Sequence, residues 1–532
     1  MNKISKLINK INYIHFFWIF FYLLLFSILI NNGFSYLDPD FGWHLKVGQE
    51  ISLSHLVPQI NTYNYTYTGN WVDHEWLSNA ILFNIYSNFG YPTLIIIFAL
   101  LIILPLIALN LIAARASPHK NISFLIAFFQ LFGVLASLPH FGIRIQELAL
   151  IFVLILLILI SYFDKTKHWL ILFALPPLFY LWANLHASFL IGFFILISWI
   201  CIKLLEKILS KHRNFHWLDF SNIIKTKQLV YLSIASFVSL FVTFLTPYGV
   251  GLYHFLIDYQ NSAYLSIITE WLPQSSLPLY FYQIYYLAFG ASALLIYFYY
   301  YCRKENTGLN IWKVFLTVIF LILSFKSRRH FPIFFIVSFG FIIQTFSFFF
   351  EKIRIPYEKF IKFLLILCFL LVITAQILTT KWTKDPFTSF SNDYPRDAVI
   401  FLKDHPQYLN GNILNNYGWG GFLIWTLPEK KLFIDGRLPQ IKFKNWTFIQ
   451  EYLNFFTIGT PLSEKFDKYQ VNLVLLPLTN KRYLPKRWES FVFDLKDEDL
   501  KKSNYLRDYL NQSKNWKVIY QDQTSLLYFY SR

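Results

Sequence analysis

Two clusters of acid, imidazole and indole interrupt an otherwise apolar chain. The first reads Tyr36-Leu-Asp38-Pro-Asp40-Phe-Gly-Trp43-His44, the second Trp71-Val-Asp73-His74-Glu75-Trp76, and both fall in one polar stretch, residues 31–91. Carboxylates of this kind can take a proton from a hydroxyl, which makes Asp40 and Asp38 the candidate catalytic pair. Oxygen and imidazole ligands also suit a divalent cation such as magnesium or manganese, so Asp38, Asp40, His44, His74 and Glu75 form a candidate ligand set. No diagnostic ligand spacing accompanies them. His44, His74, Glu75, Trp43 and Trp71 are also candidates for holding a substrate, the indoles by stacking, although indoles are also expected at any bilayer interface. Each has a plainer competing role. Asp40 precedes Phe41-Gly-Trp-His-Leu and could only cap a helix there, and His74-Glu75 could cap and pack at the start of a helix over 76–89.

A second group is cationic. Arg144, His186 and Arg328-Arg329-His330 each stand where an apolar run begins, and Pro332 suits the first turn of its helix. A cation at a helix N-terminus opposes the helix dipole by roughly 0.3–1 kcal/mol. A bound anion removes that objection, and arginine at such a terminus offers phosphate a planar fork of donors. The competing role is snorkelling to lipid headgroups. Asn184 and Glu270 join this polar set.

The elements that must position these residues follow from composition. With 56% hydrophobic, 21% aromatic and only 14% charged residues, the chain falls among polytopic α-helical membrane proteins. Apolar runs at about 13–30, 92–114, 121–139, 144–163, 168–183, 187–208, 229–247, 282–301, 311–326, 331–350 and 358–379 predict about eleven transmembrane helices. The first has no small-residue cleavage site after it and is expected to be retained. Segment 76–89 carries Ser78, Asn79 and Asn84 and reads as an amphipathic surface helix. A cytoplasmic N-terminus then puts twenty lysines and arginines on inner segments and five, Lys46, Arg144, Lys326, Arg328 and Arg329, on outer ones. That asymmetry obeys the positive-inside rule. It accounts for the net charge of +17 without nucleic-acid binding. Both clusters and the cations fall on the outer side, as does the tail. Cys201, Cys302 and Cys368 lie in separate apolar runs, which argues against a disulfide framework or a thiolate metal site.

The chain therefore divides into a membrane domain over 1–382, with its first external loop at 31–91, and a soluble α/β domain over 383–532. In the latter, 395–405 reads as an amphipathic helix, 411–414, 431–435 and 471–477 as strands, and 516–530 as a terminal hairpin. Gly418-Trp-Gly420-Gly421 and Asp435-Gly-Arg437 read most simply as glycine turns. The alternative is that Trp419, Trp425, Asp435 and Arg437 line a surface for a glycan or acceptor. No nucleotide-phosphate loop, serine-histidine-acid signature or zinc motif is present.

The chain resembles the bacterial branch of the GT-C membrane glycosyltransferases, the superfamily of protein O-mannosyltransferases, oligosaccharyltransferases and aminoarabinose transferases. The resemblance rests on Asp-x-Asp-Phe-x-Trp-His-Leu-x-x-Gly at 38–48, His-Glu-Trp-Leu at 74–77, Trp-Ala-Asn-Leu-His at 182–186, Pro-Tyr-Gly at 247–249, Glu-Trp at 270–271, Arg-x-x-x-Pro at 328–332, Tyr-Gly-Trp-Gly-Gly at 417–421 and Ile-Asp-Gly-Arg at 434–437. It implies a polyprenyl-phosphate-linked sugar as donor, a catalytic acid in the first external loop, and transfer to an extracytoplasmic acceptor. Asp38-Pro-Asp40 replaces the Asp-Glu dipeptide of the O-mannosyltransferases, and no acceptor-peptide motif of oligosaccharyltransferases is found. On this resemblance Asp40, or failing it Asp38, takes the acceptor proton, while Arg328 or Arg329, assisted by Arg144 or His186 and with His330 beside them, holds the donor phosphate. An integral plasma (inner) membrane location follows. A carrier for lipid-linked glycans, or a non-catalytic assembly subunit, is the competing expectation. A carrier should place its ionisable residues at mid-membrane depth, whereas here they sit at span ends.

Overall fold

The structure is a computed structural model that describes residues 13–116, 122–211, 223–260, 262–303, 310–350, 357–390, 393–438, 441–443, 446–479, 486, 489 and 505–531. Lys3, Lys6, Lys10, Lys120, Arg213, Lys304, Lys352 and Arg354, on which the charge bias partly rests, lie outside the described residues. The chain is mostly helical, and helices occupy all eleven apolar runs. Eight of the described helices are long and apolar enough to cross a membrane. Trp169–Leu185 and Thr226–Val242 are shorter apolar helices.

Two compact units emerge, and neither is a single stretch of chain. The first comprises Met1–Tyr36, Leu94–Thr243 and Tyr280–Trp382. Its centre is the helix Phe331–Phe349, whose apolar window, starting from Arg328, is 78% buried, against 17% for Glu358–Thr379 at the periphery. Phe331, Phe334 and Phe335 pack edge-on to Tyr286, and Phe346 meets Phe129. Large apolar side chains such as Leu104, Phe237 and Leu371 are exposed around the helices. Such a surface needs a lipid environment.

The second unit comprises Leu37–Thr93, Phe244–Leu279 and Thr383–Arg532. Its sheet is built of β1 (Asn412–Asn415), β2 (Val471–Pro477), β3 (Trp516–Gln521) and β4 (Ser525–Tyr530) in the order β1-β2-β4-β3: β1 is parallel to β2, which pairs antiparallel with β4, and that strand pairs antiparallel with β3. Helix Arg396–Asp404 and the terminal hairpin fall where the sequence predicts.

Residues 431–435 do not form a strand of this sheet. Leu432 instead makes an isolated parallel bridge with Asn64 of the first loop, donating to the Tyr63 carbonyl at 2.9 Å. The loop itself folds back on an Ile60–Asn70 bridge. Thr66 Oγ1 donates to the Phe433 carbonyl at 2.6 Å and Tyr65 Oη to that of Ile413 at 3.1 Å. Helix Trp76–Ala116 is interrupted at Gly90 (φ 79°, ψ 175°), a conformation open to glycine, so 76–89 is a helix of its own.

Candidate functional site

In the second unit, the two loop aspartates have different surroundings. Asp38 Oδ1 accepts the Asp40 backbone N–H at 2.9 Å, and its carbonyl accepts that of Phe41 at 3.1 Å, which makes Asp38 the turn-forming residue. Asp40 occupies the N-cap position of helix Phe41–Ser54, yet its side chain makes no capping bond. The capping role expected of Asp40 is therefore corrected. Its Oδ1 accepts the Trp43 indole N–H at 2.8 Å, and the residue is half-buried.

Glycines hold this carboxylate close to the tail. A methyl group on Gly436 would run into Asp40 Oδ1, one on Gly421 into the Pro39 carbonyl, and one on Gly42 into the Gly421 carbonyl. Gly418 lies in the expected turn, Tyr417–Trp419, whereas Gly420 and Gly421 open a helix, Gly420–Thr426, and serve close approach, Gly420 to Asp435 and Gly421 to the start of helix Phe41–Ser54. Gly421→Ala is expected to destabilise the unit by about 1–3 kcal/mol, because backbone must move. Gly436→Ala meets only a carboxylate and is expected to displace Asp40 with little loss of stability. Thermal unfolding of both variants beside an activity measurement separates the two effects.

Tyr417 completes the surroundings of Asp40. Burial, then the negative charges of Asp40 and Asp435, push its phenol well above the ordinary tyrosine range, so it stays protonated and able to donate. Its side chain hydrogen-bonds that of Tyr264, and Tyr264 and Trp271 both meet Tyr259 edge-on.

Behind Trp43 lies a buried polar chain. Asn79 Nδ2 donates to Asp73 Oδ2 at 2.8 Å, which leaves Asn79 Oδ1 to accept from His44 Nδ1 at 2.6 Å. Asp73 Oδ1 also accepts the Glu75 N–H at 3.1 Å. The Glu75 carboxylate lies 4.0 Å from His44 Nε2 and 3.6 Å from His74 Nε2, while the His74 ring stacks on Phe255. Burial lowers the His44 pKa to about 3 and raises that of Asp73 to about 6.

These shifts have opposite consequences for stability. His44 resists protonation when folded, so acidification from its unfolded value near 6.5 towards about 3 destabilises the fold. Asp73 binds its proton more readily when folded, so stability rises as pH falls from about 6 towards 3.8. Over pH 4–6 the two largely cancel. Asp73→Asn removes the compensation and is expected to steepen the acid loss there by roughly 1.4 kcal/mol per pH unit. Unfolding midpoints measured from pH 4 to 7 check this.

The proposed ligand set of Asp38, Asp40, His44, His74 and Glu75 does not assemble as placed. Asp40 is bonded to Trp43, Asp38 to its own turn, and Glu75 lies between two histidines. Among the described residues no group of three or more His, Cys, Asp or Glu side chains is placed to hold a metal ion. The residues present thus do not fit that metal as one set.

Asp435 and Arg437 form a buried two-point ion pair, Nε to Oδ1 at 2.9 Å and Nη2 to Oδ2 at 2.8 Å. Arg437 also donates to Asn61 Oδ1 at 3.0 Å and Asn64 Oδ1 at 3.1 Å, and its guanidinium lies between the rings of Tyr63 (4.4 Å) and Trp71 (4.6 Å). The expected turn forms, the Leu438 N–H reaching the Asp435 carbonyl at 3.4 Å, while the expectation of an open surface is corrected, because the motif ties the tail to the loop. Trp419 is likewise buried, donating to the Asp393 carbonyl, and Trp425 stacks on Phe387.

In the first unit, the cations predicted to meet an anion do gather in part. Arg329 Nη2 donates to Gln146 Oε1 at 3.0 Å, which joins the Arg328–His330 turn to the Ile145–Glu147 turn that follows Arg144. Arg328 is fully buried with its guanidinium 4.4 Å from the Tyr280 ring centroid, and Arg144 lies over Tyr36 at 5.7 Å. His186 Nδ1 accepts the Ser188 N–H at 3.0 Å, and Asn184 donates to the Tyr180 carbonyl, so both shape the turn between helices Leu175–Leu185 and Phe189–Leu209. Glu270 is half-buried in the Thr269–Trp271 turn of the second unit.

Sequence reasoning passed over Tyr417, Tyr63, Tyr280 and the asparagines Asn61, Asn64 and Asn79. Only Tyr417 carried a signal, as the first residue of Tyr-Gly-Trp-Gly-Gly. No protein-family model matches the chain, and no curated protein matches it.

Proposed function

We propose that the chain is a GT-C-type membrane glycosyltransferase that moves a sugar from a polyprenyl-phosphate donor to an acceptor outside the cytoplasm. In this reading about eleven helices span the plasma (inner) membrane, the N-terminus is cytoplasmic and the C-terminal α/β part is extracytoplasmic. The observation that carries it is the Asp40 carboxylate, which is half-exposed, makes no side-chain capping bond and is oriented by the Trp43 indole N–H.

In the proposed step an acceptor hydroxyl attacks the anomeric carbon of the donor and its proton passes to Asp40. The bond from that carbon to the phosphate oxygen breaks, and the polyprenyl phosphate leaves with the electron pair. The resemblance assigns the positive charge that the departing phosphate requires to Arg328 and Arg329, with Arg144. Tyr417, held protonated, donates a hydrogen bond to carboxylate or substrate.

Membranes containing the chain, incubated with a radiolabelled polyprenyl-phosphate sugar, should yield a labelled product. Movement of the label across the bilayer without transfer identifies a carrier, and neither transfer nor movement identifies an assembly subunit.

A further inference from the structure

The first unit contains a feature unrelated to the aspartates. A groove of about 460 Å3 runs between helices Phe189–Leu209 and Thr226–Val242. Its walls are the exposed apolar side chains of Leu204, Ile208, Val230 and Ile234, and Lys207, Lys211 and Thr226 lie together at one end. From Thr226 to Ile234 the helix rises about 12 Å, so the groove is basic at its mouth and apolar beyond.

The lysines at that mouth differ from those just inside the bundle. Lys203 is buried and neutralised by Glu206 Oε2 at 2.9 Å and Asp164 Oδ1 at 3.4 Å, and Lys167 holds Asp164 at 2.8 Å. Lys207 meets only the Thr226 hydroxyl, and neither it nor Lys211 has a carboxylate partner among the described residues. Next to Thr226, Lys227 lies over the Tyr231 ring, which in turn meets the exposed Trp169. Tyrosine, tryptophan and lysine at one level mark the boundary between hydrocarbon and headgroups. Lys207 and Lys211, which have no acid partner among the described residues, therefore stand at phosphate depth, above an apolar channel that points into the hydrocarbon.

We propose that this groove binds one anionic phospholipid of the surrounding bilayer, its phosphate on Lys207 and Lys211 and an acyl chain along Leu204, Ile208, Val230 and Ile234. Charge complementarity selects an anionic headgroup over a zwitterionic one, and basic pockets between membrane helices bind such lipids. Two lysines at about fivefold each give roughly a twenty-five-fold preference.

The full chain in nanodiscs is labelled with phosphatidylglycerol or phosphatidylcholine carrying a photoreactive acyl chain, and the labelled peptides are identified. Phosphatidylglycerol is expected to label the peptides holding Leu204–Ile208 and Leu229–Ile234 well above phosphatidylcholine. The double variant Lys207→Gln, Lys211→Gln should bring both lipids to one level, and Val230→Trp should abolish the labelling with the lysines intact. Equal labelling of the wild type by both lipids, or a preference that survives the lysine variant, overturns the proposal. The wild-type comparison and Val230→Trp decide it if the lysine variant does not fold.

Discussion

Asp40→Asn is expected to reduce the proposed sugar transfer by about 10²–10⁴-fold, the usual contribution of a positioned general base, the role proposed for Asp40. Asparagine keeps an oxygen to accept the Trp43 indole N–H, now at 2.8 Å, and so leaves the local fold in place while removing the proton acceptor. Asp38→Asn is the internal control. Its side-chain oxygen still accepts the Asp40 N–H and preserves the turn, so its rate should fall far less. Initial rates in vesicles, with donor binding measured separately, distinguish a loss of chemistry from a loss of binding. An Asp40→Asn enzyme at full rate would remove Asp40 from the reaction.

The largest effect on stability is expected at Arg437. Arg437→Ala leaves Asp435 charged and buried and releases Asn61, Asn64 and the two rings, a loss of about 3–5 kcal/mol. Arg437→Lys should recover little of it, because a lysine supplies neither the two-point fork nor the planar face that lies between Tyr63 and Trp71. Limited proteolysis of the tail and thermal unfolding followed by tryptophan fluorescence measure the loss. Lys442→Ala, which breaks the exposed pair with Asp258 at 3.3 Å, should change stability by less than about 1 kcal/mol.

The helices were legible because their signal is local: an apolar run of spanning length states its own conformation. The hairpin of β3 and β4 was legible for the same reason, its two halves being adjacent in the chain. Residues 431–435 misled because their pairing partner, Asn64, belongs to another segment, and no local pattern announces it. Gly421 and Gly436 were visible, but their purpose, to admit Pro39 and Asp40, depends on a neighbour almost four hundred positions away. Of the Asp38/Asp40 pair, sequence supplied the residue types. Only the structure separates the turn-former from the carboxylate held by Trp43.

The interlacing of the second unit from three separate segments has a consequence for biogenesis. Asn64 leaves the ribosome 373 residues ahead of Arg437, the side chain it will bond. At about 5–20 residues per second that is a wait of roughly 20–75 s. Through that interval the nascent loop must stay soluble and unclaimed, with its asparagines, tyrosines and Asp40 hydrated, until translation delivers the segment that closes over it. A ribosome stalled before codon 435 would release a polypeptide with its helices inserted and that loop permanently orphaned, a ready substrate for quality-control proteases.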